Sequence, residues 1–193
     1  MSNATAFSSL KLAPALLGNL SDIGYVEMTP VQASALPHVL AGSDVLARAK
    51  TGSGKTAAFG LGLLNKLDPA FFRVQALVLC PTRELADQVA REIRRLVQTI
   101  PNIKILSLCG GTPIGPQNAS LQHHPHVVVG TPGRVLNHLK KGTMDLRDLQ
   151  TFVLDEADRM LDMGFTDELD AILKFVPKVR QTLLFSATYP EAI

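Results

Sequence analysis

The 193-residue sequence predicts one α/β domain, with a parallel sheet flanked by helices on both faces. Short apolar runs recur along the chain, and most are unbroken rather than alternating, which is typical of strands buried on both faces of a parallel sheet. Helical segments lie between several of these runs, and this alternation favours a doubly wound arrangement. The predicted strands are residues 45–47, 76–80, 103–109, 127–129, 152–154 and 182–185.

The segment 49–56, AKTGSGKT, predicts a phosphate-binding loop after the first strand. Its glycines let successive backbone N–H groups point at phosphate oxygens, and the following helix adds the positive end of its dipole. Lys55 is placed to reach the outer phosphates, and the Thr56 hydroxyl is placed to hold Mg²⁺. A flexible Gly/Ser turn is the alternative for this segment. The candidate nucleotide contacts are Ala49, Thr51, Gly52, Ser53, Gly54, Lys55 and Thr56.

Two helices are predicted beside the first strands. The apolar segment 57–67 follows the loop and indicates a helix packed on several sides. Segment 84–100 has apolar residues at helical spacing along one face, and Pro101 with Asn102 is expected to end it. Strand, loop and helix in this order place the loop at the carboxyl ends of the strands, where such sheets bind ligands.

A second cluster of chemical groups follows the fifth predicted strand. Residues 152–154 are apolar, and Asp155, Glu156 and Asp158 come directly after them. Mg²⁺ prefers oxygen ligands, commonly one or two carboxylates together with substrate phosphates. Asp155 is therefore suited to hold the ion that Thr56 contacts, and Glu156 to deprotonate a water that attacks the γ-phosphate. A solvated acidic turn that caps the next helix is the alternative.

Composition limits the remaining possibilities. The net charge is only +2, from 19 basic and 17 acidic residues, so any RNA or DNA site must be local. No apolar stretch reaches the roughly 20 residues that span a bilayer, and no signal peptide is visible, so a cytoplasmic protein without membrane contact is expected. Cys80 and Cys109 are expected to be buried thiols. Residues 1–4 resemble an expression-vector remnant and are excluded from the prediction of the fold.

The four residues 155–158, DEAD, resemble the signature of the DEAD-box RNA helicases. Other landmarks of the first RecA-like domain of that family follow in the family's order over nearly the whole chain. Segment 24–32 resembles the adenine-reading Q motif, with Phe7 as its upstream aromatic residue and Met28 where proline is more common. Ala49 is also usual in the family. The remaining landmarks are residues 81–85, 110–111, 131–134 and 186–188.

The resemblance implies that three short segments contact RNA. Thr82 and Thr131 are suited to cap helices whose free N–H groups grip phosphates, and Arg83 and Arg134 add charge. Such contacts hold the backbone without reading the base sequence. The implied RNA-contact residues are Pro81, Thr82, Arg83, Gly110, Gly111, Thr131, Pro132, Gly133 and Arg134.

The same resemblance implies roles at the two ends of the nucleotide site. Gln32 would pair with the adenine edge and Thr29 would lie beside it, because an amide offers both a donor and an acceptor. Phe7 or Tyr25 would stack on the base, although both are equally suited to anchor an N-terminal helix in the core. At the other end, Ser186 and Thr188 would bond toward Asp158 and couple hydrolysis to domain closure.

The expected function is therefore that of the N-terminal RecA-like P-loop NTPase domain of an ATP-dependent RNA helicase, with ATP and Mg²⁺ as cofactors. Segments 51–64, 76–89 and 108–111 resemble one bacterial member of the family most, which implies work on 23S rRNA in large-subunit assembly. The second RecA-like domain is expected beyond residue 193 and would supply an arginine to the transition state. The single domain, residues 1–193, is then expected to be monomeric and weakly active. The alternatives are an ATP- and RNA-binding module without turnover, or another P-loop NTPase.

Overall fold

The computed structural model describes residues 5–189 and contains one six-stranded sheet with the order β1-β6-β5-β2-β4-β3. Every neighbouring pair in this sheet is parallel. All six predicted strands are present, with bounds that differ by a few residues at most. The strands are β1 (Val45–Arg48), β2 (Ala76–Leu79), β3 (Ile105–Leu108), β4 (Val127–Gly130), β5 (Thr151–Asp155) and β6 (Gln181–Ser186).

Helices connect the strands and cover both faces of the sheet. One apolar cluster joins Phe59 and Ile93 of the early helices to Phe185 on the sheet. A second cluster joins Phe152 on the opposite face to Met160 of a later helix. The predicted doubly wound α/β fold is confirmed. The helices are α1 (Pro14–Asp22), α2 (Pro30–Leu40), α3 (Lys55–Lys66), α4 (Arg83–Leu96), α5 (Ile114–Gln122), α6 (Pro132–Lys140), α7 (Ala157–Asp162) and α8 (Thr166–Leu173).

The prediction that the strands are buried on both faces is wrong for β1. This strand lies at the edge of the sheet and pairs only with β6 among the described strands. Its side chains alternate between partly buried and exposed positions, and Leu46 is 64% exposed. Helices cover the faces of a parallel sheet, and their cover is incomplete at its edges, so the apolar run did not indicate full burial. The other edge strand, β3, is likewise only partly buried over residues 105–107.

Helix α4 ends at Leu96, four residues before the predicted end at position 100. The buried Asn19 of α1 explains the difference. Its Nδ2 donates to the Arg95 carbonyl oxygen at 3.0 Å, and its Oδ1 accepts from the Thr99 N–H at 3.3 Å. These bonds satisfy backbone groups at the end of the helix, so the chain turns there instead of continuing.

The parallel sheet brings the predicted motifs together. Apart from the segment 24–32, which precedes β1, each motif lies at or just after the end of a strand, and the carboxyl ends of parallel strands lie at the same edge of the sheet. The two cysteines are buried free thiols, as predicted. Among the helices of residues 5–189, none combines the length and the apolar character needed to cross a membrane.

Candidate active site

The loop between β1 and α3 has the backbone that a phosphate-binding loop requires. Gly52 and Gly54 have φ angles of 80° and 88°, a region that side chains rarely adopt. At Gly54 a Cβ atom would also lie 2.5 Å from Gln32 Nε2, so a larger residue would displace that side chain. Helix α3 begins at Lys55, and its first N–H groups therefore face this loop.

Lys55 lies in a buried cluster with two carboxylates of the DEAD segment. Its ammonium is 2.7 Å from Asp155 Oδ1 and 3.3 Å from Glu156 Oε1. Asp155 is fully buried, and burial raises the pKa of its carboxyl, while the nearby charge of Lys55 acts in the opposite direction. The structure thus brings Lys55 together with two adjacent carboxylates, of which Glu156 lies 101 positions further along the sequence.

Asp155 also has a carboxylate oxygen that is suited to bind a cation. Among residues 5–189, Oδ2 of this buried carboxylate has no hydrogen-bond partner. A bare buried oxygen is costly unless a cation or a donor reaches it, and Mg²⁺ takes such oxygens as ligands. Within the same part of the chain, no group of three acidic, histidine or cysteine side chains forms a closed metal site. A single carboxylate oxygen fits Mg²⁺, which is usually bound through one or two carboxylates together with phosphates and water.

Glu156 is held by three side chains in an unusual backbone conformation. Its φ and ψ are 55° and 53°, the left-handed region, at the start of α7. Its Oε1 accepts from Thr51 Oγ1 at 2.7 Å, and its Oε2 accepts from Arg159 Nη1 at 3.3 Å. Burial alone would raise the pKa of Glu156, but the bonds from Thr51 and Arg159 and the charge of Lys55 outweigh it and lower that pKa.

Sequence reasoning missed the contribution of Arg159. This arginine follows Glu156 by three positions, the spacing at which neighbouring side chains on a helix meet. This three-residue spacing is the sequence signal from which the contact between Arg159 and Glu156 could have been predicted. Thr51 was predicted as a nucleotide contact, and its bond to Glu156 was not expected.

Gln32 is tied to the phosphate-binding loop. Its Oε1 accepts from the Thr29 N–H at 2.8 Å, and its Nε2 donates to the Gly54 carbonyl oxygen at 3.0 Å. Thr29 Oγ1 in turn donates to the Ser53 carbonyl oxygen at 2.8 Å. Thr29 and Gln32 also form a capping box at the start of α2, a pairing that their spacing could have revealed. Gln32 is 2% exposed, and its contact with adenine stays a prediction.

The two candidate stacking residues differ in their surroundings. Phe7 is 2% exposed and packs edge-on against Tyr25, with ring centroids 5.8 Å apart. Phe7 therefore takes the core position that the alternative prediction gave it, and a base could stack on it only after its ring became exposed. Tyr25 is half-buried, its hydroxyl donates to Glu92, and the Arg95 guanidinium lies 5.5 Å from its ring centroid. Stacking on a base stays a prediction for both residues.

The candidate RNA contacts lie at the ends of β2, β3 and β4. Thr82 caps α4 and accepts from the Leu85 N–H at 3.3 Å. Thr131 starts α6, but its side chain makes no capping bond. Arg83, Gly110, Gly111 and Gly133 are exposed, whereas Pro81 and Pro132 are buried beneath them. The exposed groups form a surface with two helix N-termini, which suits phosphate contacts.

Arg134 differs from Arg83 because it is bonded within the protein. Its Nη1 donates to the Thr112 carbonyl oxygen at 3.0 Å and to Gln117 Oε1 at 2.9 Å. Arg83, by contrast, is exposed and lies 3.9 Å from the Asp87 carboxylate. The two arginines also differ in their position on the helix, since Arg83 directly follows Thr82 whereas Arg134 comes three residues after Thr131.

Asp158 is joined to the end of β6. Its N–H donates to Ser186 Oγ at 3.1 Å, and its Oδ2 accepts from Thr188 Oγ1 at 2.8 Å. Although burial would raise the pKa of Asp158, hydrogen bonds from Ser186 and Thr188 outweigh that effect and lower it. The contacts that the resemblance implied between Asp158 and the end of β6 are thus present.

The fold and these motifs together define a RecA-like domain of a DEAD-box protein. The profile of the DEAD/DEAH box helicase family matches residues 29–193, and the chain belongs to this family. Over 190 residues it is 66% identical to the ATP-dependent RNA helicase DbpA of Escherichia coli, covering 98% of this chain and 42% of that protein. It is 48% identical to the DEAD-box ATP-dependent RNA helicase CshA of Bacillus cereus, covering 98% of this chain and 36% of that protein.

Solved structures show the same fold. A DEAD box protein from Methanococcus jannaschii matches with a TM-score of 0.92 and 40% identity, over 97% of this chain and 51% of that one. Saccharomyces cerevisiae Dbp5 bound to RNA and ADP BeF3 matches with a TM-score of 0.88 and 34% identity, over 97% of this chain and 48% of that one. The chain spans less than half the length of the curated relatives described above.

Proposed function

We propose that this domain binds ATP with Mg²⁺ and grips an RNA backbone, as the N-terminal part of an ATP-dependent RNA helicase. The buried cluster of Lys55, Asp155 and Glu156 carries this proposal. In this cluster the Lys55 ammonium, the Asp155 carboxylate with its unbonded Oδ2 and the hydrogen-bonded Glu156 carboxylate lie next to the predicted phosphate-binding loop. Relatives named as ATP-dependent RNA helicases, matched over nearly all of this chain, support it.

Each residue of the cluster has a distinct role in this proposal. Lys55 and the N–H groups at the start of α3 neutralise the outer phosphates. Asp155 and Thr56 hold Mg²⁺, which, when bound, offsets negative charge on the phosphates. Glu156 orients a water and accepts its proton, and its lowered pKa keeps the carboxylate ionised near neutral pH. Thr29 and Gln32 connect adenine recognition to the loop through the carbonyls of Ser53 and Gly54.

The part of the proposal that concerns RNA rests on the exposed surface at the carboxyl ends of β2, β3 and β4. Helix N-termini at Thr82 and Thr131, with Arg83, would hold phosphates without reading bases. The bonds among Asp158, Ser186 and Thr188 would link this edge to the nucleotide site when the domain closes on its partner. That partner is a second RecA-like domain of the full-length protein, which would supply the arginine that stabilises transition-state charge.

The finer parts of the proposal concern the whole protein. Identity of 66% to DbpA supports a role like that of this relative, and we propose 23S rRNA during large-subunit assembly as the target. We further propose a cytoplasmic, monomeric protein. The domain alone should bind nucleotide weakly and turn it over slowly, because the arginine of the second domain contributes about 10³–10⁵ in rate.

The test is the substitution Glu156→Gln in the full-length protein. We expect binding of a fluorescent ATP analogue to be retained and RNA-stimulated phosphate release to fall by about 10² or more, because the amide cannot accept the proton of the water. Glu168→Gln, a similar change on α8, is the control and should behave as the wild type. Unchanged turnover in Glu156→Gln would remove the proposed base. Vigorous RNA-stimulated turnover by residues 1–193 alone would show that no second domain is needed.

A further inference from the structure

We propose that Gln117 is a positioning residue for RNA binding, which holds the segments 109–112 and 131–134 in one fixed arrangement. This inference rests on the proposed function, since it assigns RNA contacts to those two segments. Gln117 lies on α5, is only 8% exposed, and belongs to none of the motifs that predicted the site.

The amide of Gln117 makes four hydrogen bonds. Its Nε2 donates to the Cys109 carbonyl oxygen at 3.0 Å and to Thr112 Oγ1 at 2.8 Å. Its Oε1 accepts from Arg134 Nη1 at 2.9 Å and from His138 Nε2 at 3.0 Å. A glutamine amide offers two donor hydrogens and two acceptor lone pairs, so its bonding capacity is fully used.

These four partners lie in or beside two different candidate RNA segments. Cys109 and Thr112 flank the exposed glycines at 110 and 111, whereas Arg134 and His138 lie on α6, which begins just after Thr131. Arg134 strengthens the connection, because its Nη1 also donates to the Thr112 carbonyl oxygen at 3.0 Å. One side chain on α5 therefore joins the loop after β3 to the helix after β4.

The chemistry of Gln117 also fixes the proton on Nε2 of His138. Gln117 Oε1 can only accept, so His138 Nε2 carries the proton that it donates. The Thr143 hydroxyl lies 2.8 Å from His138 Nδ1 and 3.2 Å from the His138 carbonyl oxygen, and in the neutral ring its single hydrogen goes to Nδ1. Burial, together with the charges of Arg134 and Lys141, lowers the pKa of His138 and favours this neutral ring. Every polar group around Gln117 thus has a defined role in one network.

A fixed arrangement of the two segments should strengthen RNA binding. The loop at 110–111 consists of two exposed glycines, which would otherwise sample many backbone conformations. Ordering such a loop when RNA binds costs conformational entropy and so weakens binding, and a loop that is already ordered avoids this entropic cost. The Nε and Nη2 hydrogens of Arg134 have no bond in residues 5–189 and lie on the guanidinium that Gln117 orients.

The test is Gln117→Met in the full-length protein, because methionine keeps the length of the side chain and removes its hydrogen bonds. We expect the Kd for a labelled oligouridylate strand to rise about tenfold, measured by fluorescence anisotropy with a non-hydrolysable ATP analogue present. The affinity for the ATP analogue without RNA should stay within about twofold. Gln122→Met is the matched control, since it is the same substitution at an exposed position of the same helix.

A second variant keeps the test decisive if Gln117→Met folds poorly. Thr112→Val alone removes one acceptor of the network and should also weaken RNA binding, while the affinity for the ATP analogue stays within about twofold. Where Gln117→Met folds normally, the double variant should add little further loss of RNA affinity, because both changes act on the same loop. Wild-type affinity for RNA in both variants would overturn the inference. Equal losses of RNA and ATP affinity would also overturn it, since they indicate a general structural role. Failure of the wild-type protein to bind RNA would instead overturn the proposed function.

Discussion

Lys55 and Asp155 form an ion pair in the buried centre of the candidate site, with Nζ 2.7 Å from Oδ1. The lysine is 4% exposed and the aspartate is fully buried, so water screens neither charge. The residue proposed to reach phosphate is therefore held by the residue proposed to hold Mg²⁺. When an anionic phosphate and a cation enter together, each can replace one partner of this pair without leaving a buried charge alone.

The first prediction concerns the stability of this pair. Lys55→Met should lower the free energy of unfolding by about 3–5 kcal/mol, because it leaves the Asp155 carboxylate buried without its counter-charge. Lys55→Met combined with Asp155→Asn should recover a large part of the loss. The measurement is urea unfolding of the 193-residue chain at neutral pH. Additive losses in the double variant would contradict the idea that the two charges stabilise each other.

Signals that are local in the chain predicted most of the fold. The strand that ends at Asp155 was visible from its apolar residues, and the loop at Gly52 and Gly54 from its glycine spacing. Both patterns arise within a few adjacent residues, so they can be recognised without knowing how the rest of the chain folds. The contact between Asp155 and Lys55 could be expected only because each side chain follows a parallel strand at the same edge of the sheet.

Contacts between distant segments were not predictable in this way. The early end of α4 depends on Asn19, which is 76 positions before its partner Arg95. The role of Gln117 depends on Arg134, 17 positions away on another helix. Nothing in the local pattern around Asn19 or Gln117 differs from that of an ordinary polar residue on a helix. Tertiary packing decides such contacts, and it is visible only once the helices are in place.

The second prediction concerns Arg159 and the pH dependence of activity. Arg159→Ala removes one of the bonds that lower the pKa of Glu156, so that pKa should rise toward its ordinary value. Glu156 must be ionised to accept a proton, and activity is lost as the pH falls through its pKa. The acid limb of the profile of kcat against pH should therefore move to higher pH. The measurement is RNA-stimulated hydrolysis by the full-length protein from about pH 7 down to about pH 3.5, a range that includes the ordinary glutamate pKa of about 4.3.

Two further variants separate this effect from a change in surface charge. Arg159→Lys keeps the positive charge and should restore most of the wild-type profile. Arg147→Ala removes an arginine that is paired with Asp145 at the opposite end of the sheet, and it should leave the profile unchanged. An acid limb in Arg159→Ala that coincides with the wild type would show that Arg159 does not act on Glu156.

The third prediction concerns His138 and stability at low pH. Burial, followed by the charges of Arg134 and Lys141, lowers the pKa of His138 below its usual 6.5. The unfolded chain therefore binds a proton more readily than the native protein, and stability falls as the pH drops through about 6.5. His138→Gln should flatten this slope between about pH 7.5 and about pH 5.5. His126, whose pKa is also lowered by burial, should retain part of the slope.

The measurement for His138 is the urea midpoint of unfolding at a series of pH values. His38→Gln is the control, since His38 is an exposed histidine on α2 and the substitution is the same. We expect this control to keep the wild-type slope. A slope in His138→Gln as steep as that of the wild type would show that His138 does not contribute to acid sensitivity.

The fourth prediction concerns Gly130, the last residue of β4. A Cβ atom at this position would lie 2.5 Å from the Leu108 carbonyl oxygen and 2.7 Å from Val135 Cγ2. That carbonyl also accepts from the Thr131 N–H at 3.1 Å, so a shift of it would disturb the start of α6. Gly130→Ala should therefore lower the free energy of unfolding by about 1–3 kcal/mol, the usual cost of overpacking.

Gly115→Ala provides the comparison for Gly130, because a Cβ atom at position 115 would meet nothing within 4 Å. Gly115 lies in α5, where alanine is favoured over glycine, so this variant should be as stable as the wild type or up to about 1 kcal/mol more stable. Urea unfolding of both variants measures the difference. Equal stability of the two would mean that the sheet moves apart at Leu108 without cost, which contradicts the tight register of β3 against β4.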